Sequence, residues 1–328
     1  MLYLKTINRR QSRMNNTSVA IGVTNVPTAI TRRSFLSENR SFAAGTVLGI
    51  PCISHGLPTS ESKPSAHIKL SCAAYSFRQF LTGNDSSRMT LDDFIDLCAA
   101  MELDACEPTS YYFPDTITSD YLRHLKRKTF LLGLDVSGTA VGNNFCLPPG
   151  PERLKEITHV KRWIDYSVQF GAPCIRIFAG TVPSGHSERE ARNWAVEGIR
   201  ECCQYASQRG VFLALENHGG ITSTAGQLLA IVDQIDSPWF GVNLDTGNFH
   251  TKDPYADLEK VARHAITVQV KTEVQSKGTP KTEADLGRIV DILRQVSYHG
   301  YLVLEYEASD DPHTAVPRYC NQLRKLIG

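Results

Sequence analysis

Four short apolar runs in the C-terminal half of the chain each end on an oxygen-bearing polar residue: Leu213-Ala214-Leu215-Glu216, Val242-Asn243-Leu244-Asp245, Thr267-Val268-Gln269 and Leu302-Val303-Leu304-Glu305. Runs this apolar do not alternate between a wet and a dry face, so they read as strands covered on both sides, as in a parallel sheet packed under helices. If the strands are neighbours in one closed barrel, their C-terminal ends meet on a single face, where (β/α)8 enzymes carry their chemistry. Three carboxylates and a carboxamide then share a pocket. Carboxylates at such range repel one another and need either shared protons or a cation between them. The pattern predicts a divalent-metal site.

The rest of the chain supports the barrel. From residue 66 onward, strand-like runs at 68–75, 103–107, 132–137, 174–179, 211–216, 241–245, 265–271 and 301–305 alternate with helical segments at 90–101, 118–129, 151–170, 188–209, 224–234, 254–264, 283–297 and 312–326. Eight such pairs match the size and order of a (β/α)8 TIM barrel. Leu91, Phe94, Ile95, Leu97 and Cys98 form one apolar helix stripe, with Thr90 as its N-cap and Asp92 and Asp93 in the first turn. Gly133, Gly171, Gly210 and Gly300 fall between helix and strand, where a left-handed residue ends a helix at little cost. A doubly wound open sheet competes, but no glycine-rich phosphate loop follows the first strand.

The first 65 residues read differently. Residues 1–40 hold seven Lys or Arg against one acid, Glu38, which gives +6; the overall +1 leaves about −5 on the remainder. Thr31-Arg32-Arg33-Ser34-Phe35-Leu36, followed by the small-residue apolar stretch 42–50, resembles a twin-arginine export signal. The apolar stretch is too short for a stable membrane-spanning helix. The expectation is an exported, periplasmic protein, or a cytoplasmic one if the leader does not function, with a Ser/Pro/Lys linker over 58–65 before the barrel at 66–328. The nine cysteines include no CxxC pair, and those in apolar runs (Cys72, Cys98, Cys106, Cys174) read as small buried hydrophobes. A mildly acidic body gives no basic face for nucleic acid.

With the strands in place, Leu215-Glu216-Asn217-His218, Asn243-Leu244-Asp245-Thr246-Gly247-Asn248 and Leu304-Glu305 resemble the xylose-isomerase-like barrel superfamily of sugar isomerases and epimerases, over roughly residues 66–328. That resemblance implies a divalent metal held by Glu, Asp, His and Glu at the ends of strands five to eight, here Glu216, Asp245, Gln269 and Glu305. The third position departs from the pattern: where many relatives have His-x-Lys, this chain has Gln269-Val270-Lys271. An all-oxygen set shifts preference from Zn²⁺ towards Mn²⁺ or Mg²⁺. The resemblance further implies proton transfer beside a carbonyl through an enediolate, with Glu216 and Glu305 as the acid/base pair and a small-molecule sugar or polyol ketone as substrate.

Four further residues are expected to face the substrate. Glu107 ends the second strand, where contact with sugar hydroxyls competes with a salt bridge to Arg176 or Lys271. Lys271 points to the same side as Gln269 two residues earlier. Arg176 sits inside an apolar strand and calls for a carboxylate partner. His218 and His250 flank the mouth as wall residues or catalysts, of which His218 is the candidate substrate contact. Tyr75, Tyr111, Tyr112 and Phe113 either wall a sugar pocket or pack. The same enolising step would serve a keto-sugar or keto-glycoside lyase or dehydratase, and the missing His leaves room for a non-catalytic sugar-binding barrel. A DNA-repair endonuclease lacks its histidines and its basic face here. Assembly as a homo-oligomer is left open by the sequence.

Overall fold

The structure, a computed structural model, describes residues 66–82 and 88–328. The export-signal motif, the linker and the rest of the leader lie outside the described residues. Nine parallel strand segments form one sheet: β1 (His67–Ala73), β2 (Ala105–Glu107), β3 (Asp135–Val136), β4 (Thr139–Ala140), β5 (Cys174–Ile177), β6 (Phe212–Glu216), β7 (Phe240–Asp245), β8 (Ala265–Val270) and β11 (His299–Leu304). Their order is β3-β2-β1-β11-β8-β7-β6-β5-β4. β9 (Glu273–Val274) and β10 (Thr282–Glu283) make a separate antiparallel ribbon.

The two edges of the sheet belong to one stretch of chain. β3 pairs with β2, and two residues later β4 pairs with β5, so the sheet returns on itself through Ser137-Gly138. Counting that bent stretch once gives eight strands, the closed parallel barrel that the alternation predicts. A Cβ at Gly138 would lie 3.1 Å from the Cys174 carbonyl oxygen and 3.6 Å from Glu107 Oε2, which is why the bend falls on glycine. The third strand was expected as one run, 132–137. It begins later because Leu132 caps the preceding helix and is 41% exposed, and its second half at 139–140 carries too few residues to show a period.

Helices follow the strands with legible starts. Thr90 Oγ1 accepts from Asp93 N (3.2 Å) and Asp93 Oδ2 accepts from Thr90 N (2.8 Å), a reciprocal cap on helix Leu91–Ala100. Its buried stripe is Leu91, Phe94, Ile95 and Cys98. Gly133, Gly171 and Gly210 adopt left-handed φ of 71°, 90° and 68°. Gly300 does not: it lies within β11, and Ser297 takes the left-handed turn at φ 51°. A side chain at Gly300 would meet the Tyr298 hydroxyl at 2.5 Å, so glycine serves close packing there. All eight cysteines among the described residues are free and buried. Among those residues no helix is long and apolar enough to cross a membrane.

Candidate functional site

Glu216 ends β6, Asp245 ends β7, Gln269 is the penultimate residue of β8, and Glu305 directly follows β11, its N–H donating to the Val270 carbonyl (3.0 Å). All four are buried, as are Glu107, Arg176 and Lys271. The predicted residues therefore do gather at the C-terminal end of the barrel, with Lys271 one residue beyond β8. How they pair is less simple than three carboxylates around a point.

The strand register separates the carboxylates into levels. Glu216 pairs across with Asn243, Asp245 with Gln269, and Gln269 with Val303, two residues short of Glu305. Each carboxylate is thus set two residues along from the preceding one, roughly 6 to 7 Å of strand. Neighbouring amides and cations fill the steps. Arg176 Nε lies 2.8 Å from Glu216 Oε2, an approach that is Coulombic because its direction is not that of a hydrogen bond. Arg176 Nη1 donates to the Val141 carbonyl (2.9 Å), and the guanidinium carbon lies 3.9 Å from the centre of the Phe178 ring. Asn243 Nδ2 and Asn248 Nδ2 donate to Glu216 Oε2 (3.3 Å) and Oε1 (3.0 Å). Lys271 Nζ donates to Glu305 Oε2 (2.6 Å) and stands 2.9 Å from Glu307 Oε2 and 3.5 Å from Asp245 Oδ2. Gly247 lets the lysine stem lie there, since a Cβ would fall 2.6 Å from Lys271 Cγ. Its own N–H donates to Asp245 Oδ1 (2.8 Å).

Burial, opposed by Arg176 and reinforced by Asp245 and Glu305, raises the Glu216 carboxyl to about 8. Burial also raises Asp245 to about 7 against the pull of Lys271, and Glu107 to about 7 with Glu305 adding to the rise. For Arg176 and Lys271 burial works against the charge, but Glu216, Tyr111 and Glu305 together outweigh it for the first and Asp245, Glu305 and Glu307 for the second, so both stay protonated. Burial, with Arg176 and Lys271 nearby, lowers His218.

The expected residues take the following places. Among the described residues no three His, Cys, Asp or Glu side chains are grouped to hold a metal, because the staggered register hands Glu216 to Arg176 and Glu305 to Lys271. Glu107 makes neither of its expected salt bridges; its Oε1 accepts from Gln269 Nε2 (3.0 Å). Phe113 packs in the core against Trp163 (5.1 Å between ring centroids). His218 packs on Phe178 (4.2 Å), as a wall residue would. Tyr111 places its hydroxyl 3.4 Å from Arg176 Nη1, and Tyr75 meets its ring edge-on. His250 lines a cavity of about 250 Å³ together with Asn248, Lys271, Thr272, Lys281 and Glu307. Asn243 and Asn248 were given no role from sequence, although both lie in the quoted motif; only the pairing of β6, β7 and β8 reveals that they hold Glu216.

The residues suit a hard divalent cation in charge and donor type. Four buried acids (Glu107, Glu216, Asp245, Glu305) face two buried cations (Arg176, Lys271), an excess of two negative charges when all are ionised. Asp245 Oδ2 is buried without a hydrogen bond, its Lys271 contact at 3.5 Å being electrostatic only.

Residues 95–326 match the profile of the family described as Xylose isomerase-like TIM barrel. The chain belongs to that family. Among curated proteins, an L-ribulose-5-phosphate 3-epimerase of Shigella flexneri is 24% identical over 181 residues, which cover 52% of this chain and 64% of the relative's length. Among solved structures, a D-psicose 3-epimerase of Clostridium cellulolyticum with D-tagatose superposes with TM-score 0.65 at 14% identity, covering 79% of this chain and 99% of that one. The IOLI protein, crystallised with a zinc atom, gives TM-score 0.64 at 16% identity over 79% and 96% of the two chains. At such identities the superpositions establish the fold that the xylose isomerase-like family shares.

Proposed function

We propose that this xylose isomerase-like barrel is a sugar isomerase or epimerase that moves a proton beside the carbonyl of a free sugar or related polyol ketone. The observation that carries the reading is the pair of buried carboxylates, Glu216 and Glu305, each clamped by its own cation at 2.8 and 2.6 Å on different strands of the barrel mouth. Two oriented carboxylates are what removal and return of a proton require. Burial brings Glu216 to about 8, where it can both accept and release a proton near neutral pH. Arg176 orients that carboxylate, and Asn248 fixes its second oxygen. Lys271 holds Glu305 and spreads positive charge towards the substrate space. A divalent ion, Mn²⁺ or Mg²⁺, that drew Glu216, Asp245 and Glu305 together from the separate positions they hold among the described residues would stabilise negative charge developing on a substrate oxygen.

A neutral substrate suits the adjoining cavity. Glu273 and Glu307 both line it, Lys271 is committed to three carboxylates, and Lys281 lies 3.7 Å from Glu273, so a phosphate dianion would meet acids rather than free cations. This separates the chain from the phosphorylated substrate in the curated relative's name. Delivery across a membrane by the Arg32-Arg33 leader is part of the same proposal and is supported by sequence features alone.

The test is incubation of metal-loaded protein in D2O with a panel of ketoses and 3-keto-glycosides. Deuterium at the carbon beside the carbonyl is the expected result, with loss of exchange in Glu216→Gln and Glu305→Gln. Absence of exchange with every candidate would leave the sugar-binding alternative, and product analysis separates epimerisation from elimination.

A further inference from the structure

Glu107 and Glu216 stand at the ends of β2 and β6, which are not neighbours in the sheet, yet an unbroken chain of hydrogen bonds links them. Gln269 Nε2 donates to Glu107 Oε1 (3.0 Å), and Asn243 Nδ2 donates both to Gln269 Oε1 (2.8 Å) and to Glu216 Oε2 (3.3 Å). All four side chains are buried. The polarity of this chain is set from its ends. Glu107 Oε1 accepts from the NH2 of Gln269, which turns the amide oxygen away; that oxygen then requires a donor, which Asn243 supplies. Asn243 Oδ1 is left buried without a donor, the outcome expected when an amide is oriented by its partners rather than by its own best set of hydrogen bonds.

We propose that Gln269 is a positioning residue rather than a metal ligand: with Asn243 it forms a carboxamide bridge that fixes Glu216 by tying it to Glu107. The inference rests on reading Glu216 as a proton-transferring carboxylate. In this bridge both ends of the Gln269 amide are held by protein groups, Nε2 by Glu107 and Oε1 by Asn243, so the side chain is fixed between two strands rather than directed at an ion. The glutamine then has a role of its own at this position, its amide donating to Glu107 and accepting from Asn243.

A polarity swap tests this in the full chain. Gln269→Glu sets a carboxylate against that of Glu107 and should lower Tm by at least about 4 °C. Adding Glu107→Gln restores a donor opposite an acceptor, so the double variant should recover most of that loss. Mn²⁺ affinity of the double variant should stay within about threefold of the wild type, because position 269 does not touch the ion. A ligand role makes the opposite forecast: a new carboxylate at 269 would tighten Mn²⁺ binding tenfold or more. Equal Tm losses for Gln269→Glu with and without Glu107→Gln, failure of both variants to fold, or such tightening would each overturn the bridge. If no form of the protein binds Mn²⁺, the metal reading fails by itself, and the Tm comparison still decides the bridge.

Discussion

The ammonium of Lys271 lies 2.6 Å from Glu305 Oε2, with both side chains less than a tenth exposed. The same ammonium faces Asp245 and Glu307, so one cation just beyond β8 is shared by three carboxylates from two segments, the end of β7 and the stretch after β11. Removing one partner of a buried pair strands the other's charge, which costs about 3 to 5 kcal/mol. Lys271→Met should therefore melt well below the wild type in chelator. Mn²⁺ should raise the variant's Tm by more than the wild type's, because a divalent ion then replaces the missing positive charge without competing for the same oxygens. Thermal melts with and without Mn²⁺ check both parts; equal shifts would show that lysine and ion do not share the carboxylates.

At Gly247 the backbone comes close to the stem of Lys271. A methyl group there would lie 2.6 and 2.8 Å from Lys271 Cγ and Cβ and 3.0 Å from the Glu273 carbonyl oxygen. Its φ is not left-handed, so the constraint is space rather than backbone strain. Gly247→Ala should cost about 1 to 3 kcal/mol, in the range of overpacked cores, and should lower turnover by displacing the ammonium from Glu305. Chemical denaturation gives the first quantity and the deuterium-exchange assay the second.

Far from the mouth, the Thr90 cap gives a pH-dependent handle on the barrel. The backbone N–H of Thr90, and then its hydroxyl, hold the Asp93 carboxyl below its ordinary value of 3.8. A carboxyl depressed in the folded state stabilises it fully above the unfolded pKa, and that contribution is lost as pH falls through the folded pKa. Thr90→Ala should destabilise by about 1 kcal/mol at neutral pH. The difference between variant and wild type should begin to shrink as pH falls below 3.8 and be smallest once it has passed through the lowered folded value, where Asp93 takes up its proton. Urea titrations at pH 7 and pH 3 measure it.

Most of the barrel was legible because its signals are local. Caps such as Thr90, Thr118, Ser187 and Thr224 open helices at the positions where the sequence changes period, and each accepts from the backbone N–H three residues on. What escaped depends on contacts between strands. The ladders of β3 and β4 are two residues each, too short for any periodicity, and Ser297 rather than Gly300 takes the left-handed turn. At the site, alternation along β8 correctly set Gln269 and Lys271 on one side. Which carboxylate each would meet follows from register, and register is a relation between segments that neither segment encodes alone. Arg176 illustrates the division: its apolar strand demanded a carboxylate partner, but only the pairing of β5 with β6 selects Glu216 over Glu107.

That selection makes Arg176 a sensitive position. Its Nε faces Glu216, its Nη1 reaches the Val141 carbonyl and the Tyr111 hydroxyl, and its plane lies against Phe178. A lysine carries the same charge as a single point on a flexible stem, so it can keep the attraction to Glu216 or the bond to Val141, but not both together with the stacking. Arg176→Lys should stay folded with a modest loss in Tm, while proton exchange falls by an order of magnitude or more because Glu216 is neutralised without being oriented. Arg176→Met removes the charge as well, leaving Glu216 to be buried as the neutral acid, and should abolish exchange at neutral pH. The comparison separates charge from orientation: if lysine restores full exchange, then a positive charge beside Glu216 is all that the arginine contributes.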